Sequence, residues 1–489
     1  MDEKVLREKI MGCWLGKAVG GTLGQPYEGN LGPLNLDFYD PVPEDMIPND
    51  DLDLQVLWAC IMDKMDKPVV DRKIFGKAWL ENVNFPWDEY GVCIRNLRNG
   101  IMPPFSGSHD NWFVNGMGAA IRSEIWACIA PGNPKLAAAY AYEDACTDHD
   151  GDGIYAEMFL AGMESMAFVS DCIDECIDAG LSQIPTGSLM YQALTDTRRW
   201  AAECDDSMQV RQMILDKYEN ENFTDAVMNI PLYLLSVIHG KGDFSKTICL
   251  AVNFGRDADC TCASAGAFMG IIDPDSIEER WLKPIGRKLV INKEIVGIEH
   301  PDTLDGFTDM VISLKERINC QPPPECKTTM PSGSPVKFDA QTWIIAAKAL
   351  DNNLQTESAP QPCGKVATVR FETYLNTVST SDIPNDFLKL YRFEFELAEN
   401  MNTAVMLNTP ACSWVWIDND YLFGREGGRM APSFHRCPVN QRTFVPLTAG
   451  KHFMTVALMP LEGQSEIEFN IGLGYASDKQ WLTAPFKTF

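Results

Sequence analysis

Positive charge is what this sequence has least of. Against 68 Asp and Glu stand 41 Lys and Arg, giving a formal net charge of −27. So acidic a surface repels phosphate backbones and anionic lipid, which argues against nucleic acid and membrane as partners. An anionic small substrate stays open only where metal ions, arginines or helix N-termini create local positive potential. Long apolar runs are missing too: no uncharged apolar stretch reaches the about 18 residues of a membrane span. In MDEKVLREKIMGCWLGKAVGG the early charges are mixed and Lys17 interrupts the apolar run, so no signal peptide is read and the expected compartment is the cytoplasm. In that setting the 16 cysteines, several at apolar helix positions (Cys60, Cys128, Cys172), read as reduced small hydrophobes and not as a disulfide framework. No familiar zinc spacing, Walker motif, dinucleotide fingerprint or short-period repeat is found.

What is present is a two-part pattern. The 489 residues exceed what one core usually organises, and a hydrophobic content of 45% suffices for globular cores. Residues 1–318 read as an all-α domain: Leu52–Met65, Pro134–Ala145, Ile154–Val169, Ala226–Ile238 and Ala258–Ile271 carry apolar residues at dense, near-helical spacing. Small residues such as Gly266, Ala267 and Gly270 would let these helices pack closely. Residues 319–336, including CQPPPECKTTMPSGSPV, read as a linker. Residues 337–489 read as a β-sandwich, with strands expected at Val366–Leu375, Lys389–Leu397, Ala404–Leu407, Cys412–Ile417, Arg442–Pro446, His452–Leu458 and Glu466–Leu473 and a turn at Gly450. Asp339–Asp351 is ambiguous between helix and strand.

Two acidic segments bear on chemistry. In PNDDLDLQ, Asn49 is a plausible N-cap, and Asp50 and Asp51 suit the positive end of a helix dipole. Asp53 adds a third carboxylate, and three packed together repel unless solvated or neutralised by a cation. In NFGRDADCTCASAGAFMG, Asp257 and Asp259 precede a helix of small residues. Side chains two apart diverge on a regular helix, so both reach one ion only by straddling the loop-to-helix junction, for which Gly255 supplies a permissive backbone. Each segment alone also reads as an ordinary acidic cap.

Three further segments are weaker alone. GCWLGKAVGGTLGQPYE spaces its glycines as a helix would, for close packing on another backbone, and sets Glu28 past the helix end, after Pro26. NGMGAAIR is a glycine-rich turn, Gly116–Gly118, whose N–H groups could cradle a phosphate, although on its own an ordinary loop is the better reading. CTDHDGDG surrounds His149 with aspartates but lacks the closing Glu of a calcium loop.

Taken in order, these five segments resemble the ADP-ribosylglycohydrolase family over roughly residues 5–318. The family's G-x-x-x-G-x-A-x-G-D-A-L-G-x-P-x-E is similar to the first glycine segment, with Gly21 in place of Asp; its T-D-D-T to Asn49–Leu52; its G-N-G-A-A-M-R to Gly116–Arg122, with Met117 in place of Asn; and its G-G-D-T-D-T to Gly255–Cys260. The resemblance implies an all-α fold and a centre of two Mg²⁺ ions, with Mn²⁺ as an alternative, that hydrolyses a glycosidic bond at ribose C1 of a small-molecule or protein-linked ADP-ribose-like substrate. Asn49, Asp50, Asp51, Asp257, Asp259 and Cys260 would be the metal set. Glu28 and Asp259 would be the catalytic pair, and Gly116, Met117, Gly118 and His149 would receive the substrate. Cys260, where the family has threonine, is a soft donor that Mg²⁺ does not favour, and Met117 removes a polar contact of the loop.

Two rival readings follow from these departures. One is a nucleosidase or other ribosyl hydrolase on the same scaffold, which would not need a diphosphate cradle. The other is a non-catalytic ligand-binding protein. The β domain resembles, more weakly, the jelly-roll modules appended to glycan-active proteins. Trp414 and Trp416 are its candidate carbohydrate contacts, and buried core aromatics the commoner explanation.

Overall fold

The computed structural model describes residues 1–85, 87–109, 111–327, 336–347, 358–373, 377–384, 386–428, 442–477, 482 and 486–487. They form two compact units: Met1–Asn84 with Met102–Ser108 and Phe113–Met330, and Phe85–Ile101 with His109–Trp112 and Pro331–Phe489.

The helices are α1 (Glu3–Gly24), α2 (Asp50–Asp63), α3 (Arg72–Asn82), α4 (Asp88–Arg98), α5 (Phe105–Ser108), α6 (Ser123–Ile129), α7 (Pro134–Ala145), α8 (Asp152–Ala167), α9 (Ile173–Leu181), α10 (Leu189–Glu203), α11 (Ser207–Tyr218), α12 (Ala226–Gly240), α13 (Phe244–Phe254), α14 (Ala258–Ile272), α15 (Glu279–Ile285) and α16 (Leu304–Ile318). All but α4 belong to the first unit. Many start where the sequence supplies a capping oxygen: Asp2, Asn49, Asp71, Asn133, Asp225, Asp243 and Thr303 each accept a backbone N–H of the first turn. α12 and α14 are buried nearly throughout, as helices apolar on all sides must be. The described cysteines are free thiols. No helix among the described residues is long and apolar enough to cross a membrane.

The strands are β1 (Val336–Ala346), β2 (Ala367–Thr373), β3 (Thr377–Ser381), β4 (Phe387–Leu397), β5 (Met401–Asn408), β6 (Cys412–Ile417), β7 (Asp420–Arg425), β8 (Arg442–Leu447), β9 (Gly450–Met459) and β10 (Glu466–Tyr475). They pair antiparallel in two sheets, β2-β1-β4-β9-β6-β7 and β3-β10-β5-β8. Phe338, Phe393 and Val456 of the first sheet share one apolar core with Leu407, Phe469 and Ile471 of the second, which makes the pair a sandwich. Residues up to 346 of the ambiguous segment are strand β1; 348–351 lie outside the described residues. The linker has neither helix nor strand over 321–327, and its remainder up to 335 lies outside the described residues. Trp416 is buried beside Trp343 and Leu390, and Trp414 is half-buried against the same cluster, so the structure places both tryptophans in packing.

Candidate metal centre

The centre begins with a glycine stripe. A β-carbon on Gly12 would lie 2.2 Å from Gly270 O, one on Gly16 2.0 Å from Gly266 O, one on Gly20 2.1 Å from Cys262 O, and one on Gly24 2.4 Å from Ala258 O. α1 and α14 therefore run backbone against backbone, as the glycine spacing predicts. The C-terminal end of α1 meets the N-terminal end of α14, so Glu28, just past α1, comes to Asp257 and Asp259.

Loop bonds fix that approach. Gly29 N–H donates to Arg256 O at 2.9 Å, and Arg256 N–H returns a bond to Asn30 O at 2.6 Å. Gly255, at φ +72°, has no space for a β-carbon: Asn30 O and Gly32 N would each be 2.7 Å away. Asp257 sits at the N-cap of α14, where its own N–H donates to Asn229 Oδ1 at 3.2 Å. Asp257 and Asp259 thus straddle the loop-to-helix junction.

The second acidic segment arrives on α2. Asn49 Oδ1 accepts Asp51 N–H at 2.9 Å. That bond gives the amide oxygen, expected above as a metal ligand, a capping role. Asp50 is half-buried at the first turn and Asp51 is fully buried. Asp53 departs from the cluster: its carboxylate accepts Asn292 N–H at 3.0 Å and Asn292 Nδ2 at 2.8 Å, anchoring the loop before α16.

Two triads result. Ligand atoms of Asp51, Asp259 and Cys260 lie within 4.8 Å of one another, and so do those of Glu28, Asp257 and Asp259. Asp259 belongs to both. Asp51 is 1% exposed, Asp257 2% and Asp259 5%, whereas Glu28 is exposed. Asp51 Oδ1 and Oδ2 and Asp259 Oδ1 are buried without an N–H or O–H hydrogen-bond partner. Burial pushes the Asp51 carboxyl up to about 6 against the pull of Lys17. Asp259 is raised much further, by burial and then by the charges of Asp257, Glu28, Asp51 and Asp50. The Cys260 thiol hydrogen-bonds to Asp51, and buried carboxylate oxygens crowded together in this way fit a divalent cation. The thiol of Cys260 is the one donor of a different kind. Thr261, its neighbour, turns its hydroxyl back to Asp257 O at 2.9 Å.

Behind the triads lies a charge that in the sequence is visible only as an interruption of an apolar run. Lys17 is wholly buried on α1, and its Nζ donates to Glu124 Oε1 at 2.7 Å and to Ile121 O at 3.0 Å, 3.8 Å from Asp51 Oδ1. Burial opposes its charge, but Glu124 and Asp51 outweigh burial and raise its pKa. Gln55 Nε2 also donates to Glu124, at 2.9 Å, tying α2 to α6. The signal in the sequence is a lysine set inside the uncharged, glycine-rich stretch Ile10–Gly24 of α1.

The remaining candidates are placed differently. Gly116, Met117 and Gly118 are buried, and Gly116 N–H donates to Phe113 O at 2.8 Å. His149 is buried too, with Nε2 accepting Ala119 N–H at 3.3 Å and Nδ1 3.0 Å from Asp148. Arg122 lies between: it donates to Asp144 at 3.0 Å, to Asp148 at 2.8 and 2.9 Å, and to Gly118 O at 2.7 Å. Loop and histidine are thus locked to one buried guanidinium. Asp148 and Asp152 have separate partners, Arg122 and Met190 N–H, so the aspartates around His149 do not converge.

A model of the ADP-ribosylglycohydrolase family matches residues 2–311. The chain belongs to this family. An uncharacterized protein of Archaeoglobus fulgidus is 26% identical to this chain over 295 residues, covering 57% of this chain and 92% of its own. Among solved structures, an ADP-ribosylglycohydrolase-related protein complex is 19% identical, covering 64% of this chain and 99% of that one at a TM-score of 0.43. A GH31 α-xylosidase of Xanthomonas citri is 14% identical, covering 31% of this chain and 15% of that one at a TM-score of 0.17. Family membership supports glycosidic hydrolysis of ADP-ribose-like substrates, and the family is generally metal-dependent.

Proposed function

We propose that this member of the ADP-ribosylglycohydrolase family hydrolyses the glycosidic bond at ribose C1 of an ADP-ribosylated or ADP-ribose-like substrate, with a pair of divalent cations, Mg²⁺ or Mn²⁺ in the all-carboxylate triad, as cofactor. The observation that carries the reading is the sharing of Asp259 by two triads drawn from three separate segments. Asp51, Asp257 and Asp259 would hold the cations, with Cys260 beside them. Divalent ions bound there supply Lewis acidity toward sugar hydroxyls and water. Cleavage at an anomeric carbon develops oxocarbenium character, which the buried carboxylates favour electrostatically. Glu28 alone of the set is exposed, so it can exchange protons with solvent; it takes the proton of the attacking water as the bond to C1 breaks, and the leaving group takes up a proton from solvent. Asn229 and the Gly29–Arg256 bond hold the backbone that aims these groups.

One observation favours a smaller substrate. The Gly116–Gly118 loop is buried and its first N–H is already bonded, which leaves less of a diphosphate cradle than the sequence suggests. Both readings are tested together by incubating the protein with ADP-ribosyl-arginine, ADP-ribosyl-serine and simple nucleosides, before and after chelation. Release of ADP-ribose that stops with EDTA and returns with Mg²⁺ or Mn²⁺ is expected. Turnover of nucleosides alone would transfer the assignment to a nucleosidase, and full activity after thorough chelation would remove the metals from the scheme.

A further inference from the structure

The two triads differ in kind. Glu28, Asp257 and Asp259 offer oxygen only, whereas Asp51, Asp259 and Cys260 add a sulfur. Of the three residues at the start of α14 that carry a sulfur or hydroxyl, only Cys260 is directed at the carboxylates. Thr261 bonds back into its own helix, and Cys262 Sγ bonds to Ile248 O at 3.3 Å. Asp51 and Asp259, 1% and 5% exposed, bring oxygens that no N–H or O–H donor satisfies.

Donor chemistry then decides the ion. Mg²⁺ demands hard oxygen ligands and gains little from a thiolate, while later first-row divalent ions accept mixed oxygen and sulfur sets. Lys17 adds to the bias. Its ammonium, 3.8 Å from Asp51 Oδ1, offsets part of that carboxylate's charge. An ion held by Coulomb attraction alone loses more from this than one that also forms a covalent bond to sulfur.

We propose that Asp51, Asp259 and Cys260 form a mixed oxygen–sulfur subsite that takes a thiophilic first-row divalent cation, of the Fe²⁺, Co²⁺ or Zn²⁺ class, in preference to Mg²⁺. The all-carboxylate triad keeps its hard-ion character, so the two positions of the centre are chemically unequal. The inference rests on the two-cation reading above and names the ion class of one position. As the metal–sulfur bond forms, the Cys260 S–H bond breaks and its proton passes to solvent; no electron is transferred.

The test uses the full-length protein, stripped of metal by a chelator, kept reduced and free of oxygen, and titrated with Co²⁺. A near-ultraviolet sulfur-to-cobalt charge-transfer band that saturates at one ion per chain is expected. Zn²⁺ should abolish it at equal concentration, and Mg²⁺ should not at about tenfold excess. Cys260→Ser should lose the band and weaken Co²⁺ binding about 10-fold or more, while Cys262→Ser keeps both. If the serine variant does not fold, Cys260→Thr serves in its place. A band that survives in the Cys260 variant, or displacement of Co²⁺ by an equal concentration of Mg²⁺, overturns the proposal. If equilibrium dialysis shows Co²⁺ and Mn²⁺ binding that depends on Asp259 but not on Cys260, the thiol assignment fails and the two-cation reading stands. Absence of any Asp259-dependent binding overturns both.

Discussion

Gly21 of α1 faces Asn49 so closely that a β-carbon on the glycine would lie 1.8 Å from Asn49 Nδ2. The family's aspartate and threonine at these two positions are thus both replaced here, and the two replacements fit each other sterically. Gly21→Ala should push Asn49 off its bond to Asp51 N–H, costing about 1 kcal/mol for the cap and about 1–3 kcal/mol for overpacking. Urea denaturation checks this. The double variant Gly21→Ala with Asn49→Ser, which shortens the intruding side chain and keeps a capping oxygen, should recover most of the loss. No recovery would mean that the clash lies elsewhere.

Asp259 crowds two triads, so its charge is a burden on the metal-free fold. Asp259→Asn should stabilise that form by about 0.5–2 kcal/mol, the usual return on relaxing a functional site. Mn²⁺ at a hundred times its dissociation constant should stabilise the wild type by about 2.7 kcal/mol and the variant by far less. Thermal melts with and without the ion read both effects, and a variant less stable than wild type without metal would contradict the crowding.

Arg122 is the shared cation of Asp144 and Asp148, all three with essentially no exposure. Arg122→Met keeps the bulk but strips two buried carboxylates of their partner, at about 3–5 kcal/mol. A chemical-denaturation midpoint close to wild type would show that the node is dispensable.

In the β unit, His452 Nδ1 is 2.9 Å from Asp418 Oδ2 and Nε2 is 2.8 Å from Thr448 O. Two oxygen acceptors suit an imidazolium that donates from both nitrogens. Burial lowers the His452 pKa, but these bonds outweigh burial and raise it above its ordinary value. A raised folded-state pKa makes the stabilisation complete below the unfolded value near 6.5 and lost as pH climbs through the folded one. His452→Gln should flatten the stability profile in that interval by about 1 kcal/mol at most, because half of Asp418 is exposed. Denaturation midpoints from pH 5 to pH 9 measure it, and an unchanged slope would remove the pair as its source.

Much of the scaffold was legible because local signals and tertiary demands coincide. The sequence marks Pro134–Ala145 to its observed ends, since Asn133 caps it and Pro134 opens it. Cys412–Ile417 is marked equally well, by its apolar run and the turn after it. Strands β3 and β7 carry no clear signal in the sequence, and both are sheet edges. TVSTS has Val378 as its one strongly apolar residue, so its alternation is faint. At the centre, the carboxylates and Glu28 could be named because residue type and position beside a helix end are local properties. The partner of Lys17 could not, because Glu124 lies 107 residues away. Nor could the fates of Asp53 and Gly116, whose bonds with Asn292 and Phe113 only the folded chain displays.

With no side chains between them at the glycines, α1 and α14 act as a ruler that has no play. A spacer of ordinary residues could repack to absorb a shift, but carbonyls pressed into a neighbouring backbone cannot. One residue inserted between Gly16 and Gly24 would swing everything beyond it by about 100° around the helix axis, carrying Glu28 away from Asp257 and Asp259. The distance along the chain from the first glycine to Glu28 is therefore fixed to the residue.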